Sequence, residues 1–577
     1  MGSPNLPPLI TRTSAQRASW VIPKNAIVRE SDTGRLWTGD GATVGGQSPF
    51  GLSLASQVSN APLVQIATGP NPLTNGARND ITTANPGRVT RMSHVSPGAC
   101  SQIRLAYANL SGSSVTSGES PAKNPIIVAA AIEYPLGTVY IVTFNGSRVG
   151  RVDVNGTLLS DPIAVSIPAG AMWWERCYAT SSLPPNPLTA TAGTGGSLAA
   201  GTYYYVITSV TDLGESSAST EVSATVSASG KVTLAWTDAN KMIPTRYFRV
   251  YRGTSTGSEV LLEHISPWST NYVDSGSITP GVATPPTPLS LPVALRTSQV
   301  IPHEQSIFFG TQALCYDPAG GGFATSANVI YSAYAIYGVL APGSPPPIAV
   351  LGDSIASGTG DASDLPLGQI SRNGFICRAL NNGFPYLNVA QGGESAAVFV
   401  ANCQRRLAAC AGCTYAVSNY GTNDLSLFSV ATIKSNILSI ARQCQALGMK
   451  VFWCTLNPKT TSTDNWATAQ NQAPLTTPDG VDPTYPSIEL RRVAINTWIR
   501  DTSADGFVAQ AGGPGLAGFF DTAAPVEVDA SNVITLNGGR YLSDGTALDY
   551  TIDGTHPAPL GHAAMATGID TTQFIPG

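Results

Sequence analysis

Charge is what this 577-residue chain has least of. Asp, Glu, Lys and Arg make up 12% of it, with a formal net charge of −5 and a pI near 5.6. That balance argues against a nucleic-acid partner. No apolar run reaches the roughly 18 residues that a membrane-crossing helix needs, so membrane insertion is not expected. Histidine is scarce at five. None lies near Cys410-Ala411-Gly412-Cys413, and no second C-x-x-C pair exists to complete a zinc site. The thiols of that pair, and those of Cys444 and Cys454, therefore read as small apolar core groups. Nine cysteines in so long a chain read as reduced thiols, made in a bacterial-type cytosol. The opening Met1-Gly2-Ser3-Pro4-Asn5 lacks a basic stretch and an apolar stretch, so no Sec signal is expected.

Gly (58) and Pro (43) are abundant. Such a composition favours β-rich modules with many turns. The length suggests about three or four domains. Residues 1–60 read as a small β module, in which Asp32-Thr33-Gly34 and Gly39-Asp40-Gly41 bracket a short strand. Residues 61–182 alternate in the strand period, as in Ile126–Glu133 and Val139–Phe144, with turns at Asn145-Gly146 and Asn155-Gly156. Proline clusters at Leu183–Pro187 and Thr284–Pro288 bound a segment, 183–289, that alternates like a second sandwich. Residues 290–345 are strand-like but too few for a sandwich of their own. They are expected to complete the one begun at 61, around an inserted 183–289 module. Trp173, Trp174 and Tyr178 could stack on sugars, but the core reading is favoured, since neighbours on a strand send one ring inward.

After residue 346 the period changes. Strands at Ile348–Leu351, Leu387–Ala390, Tyr415–Tyr420 and Lys450–Thr455 alternate with helices at 367–380, 395–407, 431–447 and 488–499. This predicts a three-layer α/β domain, a flavodoxin-like parallel sheet with helices on both faces and its ligand site at the carboxyl ends of the strands. Three short blocks follow predicted strand ends: Gly352-Asp353-Ser354, Gly392-Gly393 and Gly421-Thr422-Asn423-Asp424. A fourth, Asp553-Gly554-Thr555-His556, lies near the C-terminus. Together they contain a nucleophile, backbone and amide donors for an oxyanion, a base and a carboxylate to orient it, which is what nucleophilic ester hydrolysis requires.

These blocks resemble the SGNH (GDSL-type) hydrolase family over roughly residues 346–577. The resemblance implies Ser354 as nucleophile, and His556 as general base oriented by Asp553. It implies an oxyanion hole of the Ser354 N–H, the Gly393 N–H and the Asn423 amide. No cofactor and no metal are implied. Ile355 and Ala390 depart from the commonest family residues, at positions that carry no chemistry. Asp353 and Asp424 read as scaffold, His562 as a surface or packing residue, and Ser357 as a nucleophile candidate without the strand-end placement.

The stretch Trp20–Gly41 is similar to short β modules near the N-termini of bacteriophage tail fibres and receptor-binding proteins, and 183–289 resembles a fibronectin type III-like module. The combination implies a phage tail spike that removes O-acetyl groups from a bacterial surface polysaccharide. It would be made in the host cytoplasm and act on the virion at the cell surface. The partners then expected are acylated polysaccharide and virion tail or baseplate proteins, with a homotrimeric assembly by analogy. The alternatives are a non-catalytic glycan-binding adhesin and a secreted carbohydrate esterase or lipase.

Overall fold

The structure is a computed structural model that describes residues 86–112, 124–287, 329–361, 374–381 and 383–574 as continuous runs, with shorter pieces around them. In the first 60 residues, Leu9–Arg12 runs parallel to Ile27–Glu30, which pairs antiparallel with Leu36–Thr38. The two turn signals expected around that last strand lie outside the described residues.

A two-sheet sandwich follows. One sheet has the order Val139–Ile141, Ile126–Glu133, Met172–Thr180, Arg88–Val95, Gln305–Ile307, with Gly150–Val152 also on Ile126–Glu133. The other has the order Thr157–Leu159, Cys100–Ala108, Ala335–Leu340, Val64–Gln65. Alternate residues from both meet in one core: Ile103, Leu105 and Tyr107 face Ile126, Val128, Ala130 and Ile132. Asn145 and Gly146, at φ 51° and 78°, form the two-residue loop of a hairpin closed by Phe144 and Ser147.

Trp173, Trp174 and Tyr178 are all buried. Trp173 lies in the inter-sheet core and donates to Ser96 Oγ at 3.1 Å. Trp174 lies on the other face, its ring 4.5 Å from the Arg91 guanidinium carbon. Tyr178 packs with Val89, Ala129 and Cys315 of the Gln312–Tyr316 helix. Both faces of this sheet are covered, so the core reading holds for every ring and none presents a face to a sugar.

Residues 188–274 form a second sandwich with its own core of Tyr205, Ile207, Val232, Leu234, Trp236, Phe248 and Val250. One sheet holds Leu188–Leu198, Gly230–Trp236 and Asn271–Asp274. The other is built around Gly201–Thr211 and Tyr247–Gly253.

From residue 348 the sheet is parallel, in the order Tyr386–Asn388, Ile348–Leu351, Tyr415–Ser418, Lys450–Cys454, Ala517–Phe520. Chain order changes direction between the first and third strands, which is where such sheets bind ligands. The Val430–Ala446 helix buries Ile433, Ile437, Ile440, Ala441 and Cys444, three or four residues apart, and Ser429 caps it. Of the expected 367–380 helix the structure describes Phe375–Leu380, and residues 362–373 lie outside the described set.

The expected single helix at 395–407 is two helices, Ala396–Ala401 and Gln404–Ala409. They part at Asn402, whose side chain and carbonyl both bond the backbone of Glu119, on a short strand that pairs with Leu110–Gly112 outside both sandwich sheets. The two halves of the chain share a core there, with Ala106, Ala108, Tyr334 and Tyr337 packed beside Phe399, Cys410 and Cys413. Burial pushes both of these thiols well up, as expected of apolar core groups.

Candidate active site

Ser354 sits three residues beyond the first strand of the parallel sheet, at the start of a tight helical turn closed by Ser357 N–H on Asp353 O (3.0 Å). The turn is braced from within. Asp353 is fully buried, and its Oδ1 accepts Ile355 N–H at 2.9 Å and Asn419 Nδ2 at 3.0 Å. Burial raises the Asp353 pKa, and these two bonds oppose the rise. Gly352 makes room for Asn419: its φ is +151°, and a Cβ there would lie 1.8 Å from Asn419 Oδ1. Gly352→Ala is therefore expected to force Asn419 off Asp353 and cost about 2–3 kcal/mol. The measurement is the urea midpoint of unfolding; an unchanged midpoint would show that Asn419 is no strut.

His556 reaches Ser354 from the far end of the sequence, with Nε2 2.8 Å from the hydroxyl. Its Nδ1 is 2.7 Å from Asp553 Oδ2. The other carboxylate oxygen accepts the N–H groups of Thr555 (2.9 Å) and His556 (2.7 Å). Burial works to raise the Asp553 pKa, but these bonds outweigh it and hold the carboxyl at about 2.

Gly393 occupies the third position of a turn closed by Glu394 N–H on Gln391 O, at φ +75°, a conformation open to glycine at little cost. Asn423 Nδ2 donates one hydrogen to Glu394 O at 3.1 Å, which fixes the amide beside that turn. Among the described residues, neither Ser354 N–H nor Gly393 N–H donates to a protein acceptor. Both backbone donors are thus left for a ligand. Ser354, Gly393 and Asn423 follow the carboxyl ends of three strands of the parallel sheet, and the structure joins Ser354, His556 and Asp553 directly.

The scaffold assignments are concrete. Asp424 accepts Ala396 N–H at 2.8 Å at the start of the Ala396–Ala401 helix, and burial raises its pKa to about 6. Ser357 Oγ donates to Ser354 O at 2.9 Å. His562 is a packing residue and not a surface one. It is fully buried, accepts Phe375 N–H on Nδ1 (3.1 Å), and has Nε2 3.1 Å from Thr359 O. A ring wedged between an amide and a carbonyl must carry its proton on Nε2, and burial lowers its pKa.

Several residues that hold the Asp553–His556 turn have no sequence signature. Asn457 Nδ2 and Tyr541 OH each donate to Thr555 O at 2.9 Å, and Thr551 Oγ1 donates to His556 O at 2.8 Å. Thr460 N–H donates to Gly554 O at 2.9 Å. Gly554, at φ +79°, lies against Thr460 O and the indole of Trp466, where a Cβ would be 2.0 and 2.8 Å away. Trp466 donates from Nε1 to Thr460 Oγ1 at 2.9 Å, and Asn465 and Trp466 both have positive φ, 55° and 60°. Lys459, in the same loop, is half-buried. Burial lowers its pKa, and the charges of Asp353 and Asp553 work to raise it.

No family model matches this chain, and no curated protein matches it. Solved structures similar to part of it include a GDSL-like lipase from Bacteroides thetaiotaomicron, 16% identical at a TM-score of 0.25, over 40% of this chain and 87% of that one. Another is a catalytic mutant of an acetylxylan esterase from Geobacillus stearothermophilus, 14% identical at a TM-score of 0.26, over 40% and 95%. A third, TesA, is 19% identical at a TM-score of 0.23, over 38% and 94%. Likeness at these scores carries no functional weight.

Proposed function

We propose that this chain is a serine carboxylic ester hydrolase that removes short acyl groups, above all O-acetyl, from a bacterial surface polysaccharide. The observation that supports ester hydrolysis is the continuous relay from Ser354 Oγ through His556 to Asp553, at 2.8 and 2.7 Å. Ser354 Oγ attacks the ester carbonyl carbon as His556 Nε2 takes its proton. Asp553 keeps the other ring proton on Nδ1 and stabilises the imidazolium that forms. The carbonyl oxygen, now an oxyanion, is met by the Ser354 and Gly393 N–H groups and by the remaining Asn423 amide hydrogen. The imidazolium gives its proton to the departing sugar oxygen, which leaves acyl-Ser354. Water, deprotonated by His556, then attacks that ester, and the imidazolium returns the proton to the departing Ser354 Oγ as the carboxylic acid is released.

The acetyl group and the polymer are supported by the SGNH resemblance and by the β modules that precede the site. The same modules support a place in a phage tail spike or fibre, docked to the virion through the N-terminal residues and trimeric by analogy. The test is hydrolysis of p-nitrophenyl esters of increasing length by the full chain and its Ser354→Ala variant. Serine-dependent release from acetate that fades by butyrate is the expected result, followed by acetate release from an O-acetylated capsule. Preference for long chains would replace the deacetylase reading with a lipase-like one. Light scattering checks the assembly, and a monomer would remove the support for a fibre.

A further inference from the structure

The β-rich half of the chain meets the catalytic half at several points, and one of them, at Glu119, is both buried and charged. Glu119, on the Glu119–Pro121 strand, is 5% exposed. Its carboxylate accepts Arg406 N–H at 2.7 Å and Arg405 N–H at 3.2 Å, satisfying the first turn of the Gln404–Ala409 helix from another module. Its backbone is tied to the same place: Glu119 N–H donates to Asn402 O at 3.3 Å, and Asn402 Nδ2 donates to Glu119 O at 2.9 Å. Gly118, at φ +61°, permits the approach, since a Cβ there would lie 2.8 Å from Asn402 O and 3.3 Å from Glu394 Oε1.

The Arg406 guanidinium is fully buried between two carboxylates. Nη1 and Nη2 donate to Glu394 at 2.8 and 2.7 Å, and Nε lies 3.5 Å from Glu119 Oε1. The Tyr420 hydroxyl also donates to Glu394. Arg405, a third exposed and 3.6 Å from Glu119, completes the charge balance. Glu394 is the residue after Gly393, and its carbonyl carries the Asn423 amide. One residue therefore links both donors flanking the serine to Arg406, and Arg406 is held in turn by Glu119. The guanidinium makes no hydrogen bond to Glu119, and its Nη1 also donates to Val389 O at 3.3 Å. Loss of the Glu119 carboxylate leaves the Arg406 N–H without its acceptor and the buried guanidinium with Glu394 as its one carboxylate, so a shift of this helix start passes to Glu394 through the Arg406 side chain.

We propose that Glu119 is a positioning residue for the Gly393 and Asn423 donors, so that the competence of the site is set in part from the β-rich half of the chain. The kinetic consequence rests on the ester-hydrolase reading; the mechanical coupling does not. The test uses the full chain with Glu119→Gln and Glu119→Ala. Tyr337→Phe is the control, because its hydroxyl crosses the same interface to Ala409 O at 2.8 Å without touching Glu394.

In the Glu119 variants kcat is expected to fall about 10- to 100-fold, with KM changed by less than about threefold. Gln should fall less than Ala, because it keeps an acceptor for a helix N–H. Amide exchange should quicken at residues 391–395 and 421–424 and stay unchanged in Ala517–Phe520. Tyr337→Phe should lower the unfolding midpoint without moving kcat. If wild type turns over ester through Ser354 and both Glu119 variants match its kcat, the inference is overturned and the hydrolase reading stands. Unchanged exchange at 391–395 overturns the coupling even where wild type shows no turnover. An equal loss of kcat in Tyr337→Phe overturns it as well, as mere loosening of the interface. Should Glu119→Ala not fold, the same measurements on Glu119→Gln decide between these outcomes.

Discussion

Ser354→Ala is expected to lower ester turnover by about 10⁴- to 10⁶-fold and to leave stability within about 0.5 kcal/mol of wild type. The serine side chain makes one hydrogen bond, to His556, and the bonds to its carbonyl from Ser357 and Thr359 survive the substitution. Ser357 is not placed to substitute for it, because its Oγ is turned back onto Ser354 O. What survives should be the contribution of the oxyanion donors and of binding, about 10³- to 10⁴-fold over water. Single-turnover rates on p-nitrophenyl acetate, with thermal unfolding of the same samples, make the measurement. Retention of even a tenth of the wild-type rate would move the nucleophile elsewhere and sink the assignment.

Asp553→Asn is expected to cost about 10³- to 10⁴-fold in kcat through the tautomer of His556 and not through loss of packing. Asp553 Oδ1 accepts two N–H groups, from Thr555 and His556. An asparagine must keep its oxygen on those two donors, so its NH₂ faces Nδ1. The ring then accepts at Nδ1 and carries its proton on Nε2, the atom that has to accept from Ser354. A variant with more than a tenth of wild-type kcat would rule out this tautomer argument.

The same carboxylate sets a pH window. Its folded pKa of about 2 lies below the usual value near 4, so its contribution to stability is fully present above about pH 4 and is lost as pH falls towards 2. The difference in thermal midpoint between wild type and Asp553→Asn should shrink over that window. Asp553 stays charged above about pH 4 and so adds no ionisation of its own to the kcat/KM profile there.

The legible parts of this chain are those whose cause is local. Three of the five parallel strands, Ile348–Leu351, Tyr415–Ser418 and Lys450–Cys454, are short and mostly apolar runs, and the period of Ile433, Ile437, Ile440 and Cys444 marks the Val430–Ala446 helix. The fifth strand, Ala517–Phe520, was not legible. It lies in a glycine-rich stretch that by itself reads as loop, and Gly518 is there because the Phe452 ring leaves its Cβ no space. The broken 395–407 helix was equally hidden, because the partner that parts it at Asn402 is Glu119, far away in sequence.

Sequence by itself determined which atoms are present for chemistry and which strand ends carry them. A serine, a glycine pair and an asparagine placed after strands of a parallel sheet come to one edge because parallel strands point their carboxyl ends the same way. Only the tertiary structure decided how those atoms are held. The 2.8 Å contact of Ser354 with His556 spans 202 residues, and the turn that bears His556 is fastened by Asn457, Thr460, Trp466 and Tyr541 from loops without any motif. Hydrogen bonds of this kind form wherever chain closure buries a donor beside an acceptor, whatever their spacing along the chain. For that reason the support of the site, including the reach of Glu119 from the β-rich half, is a property of the folded molecule and not of any stretch of its sequence.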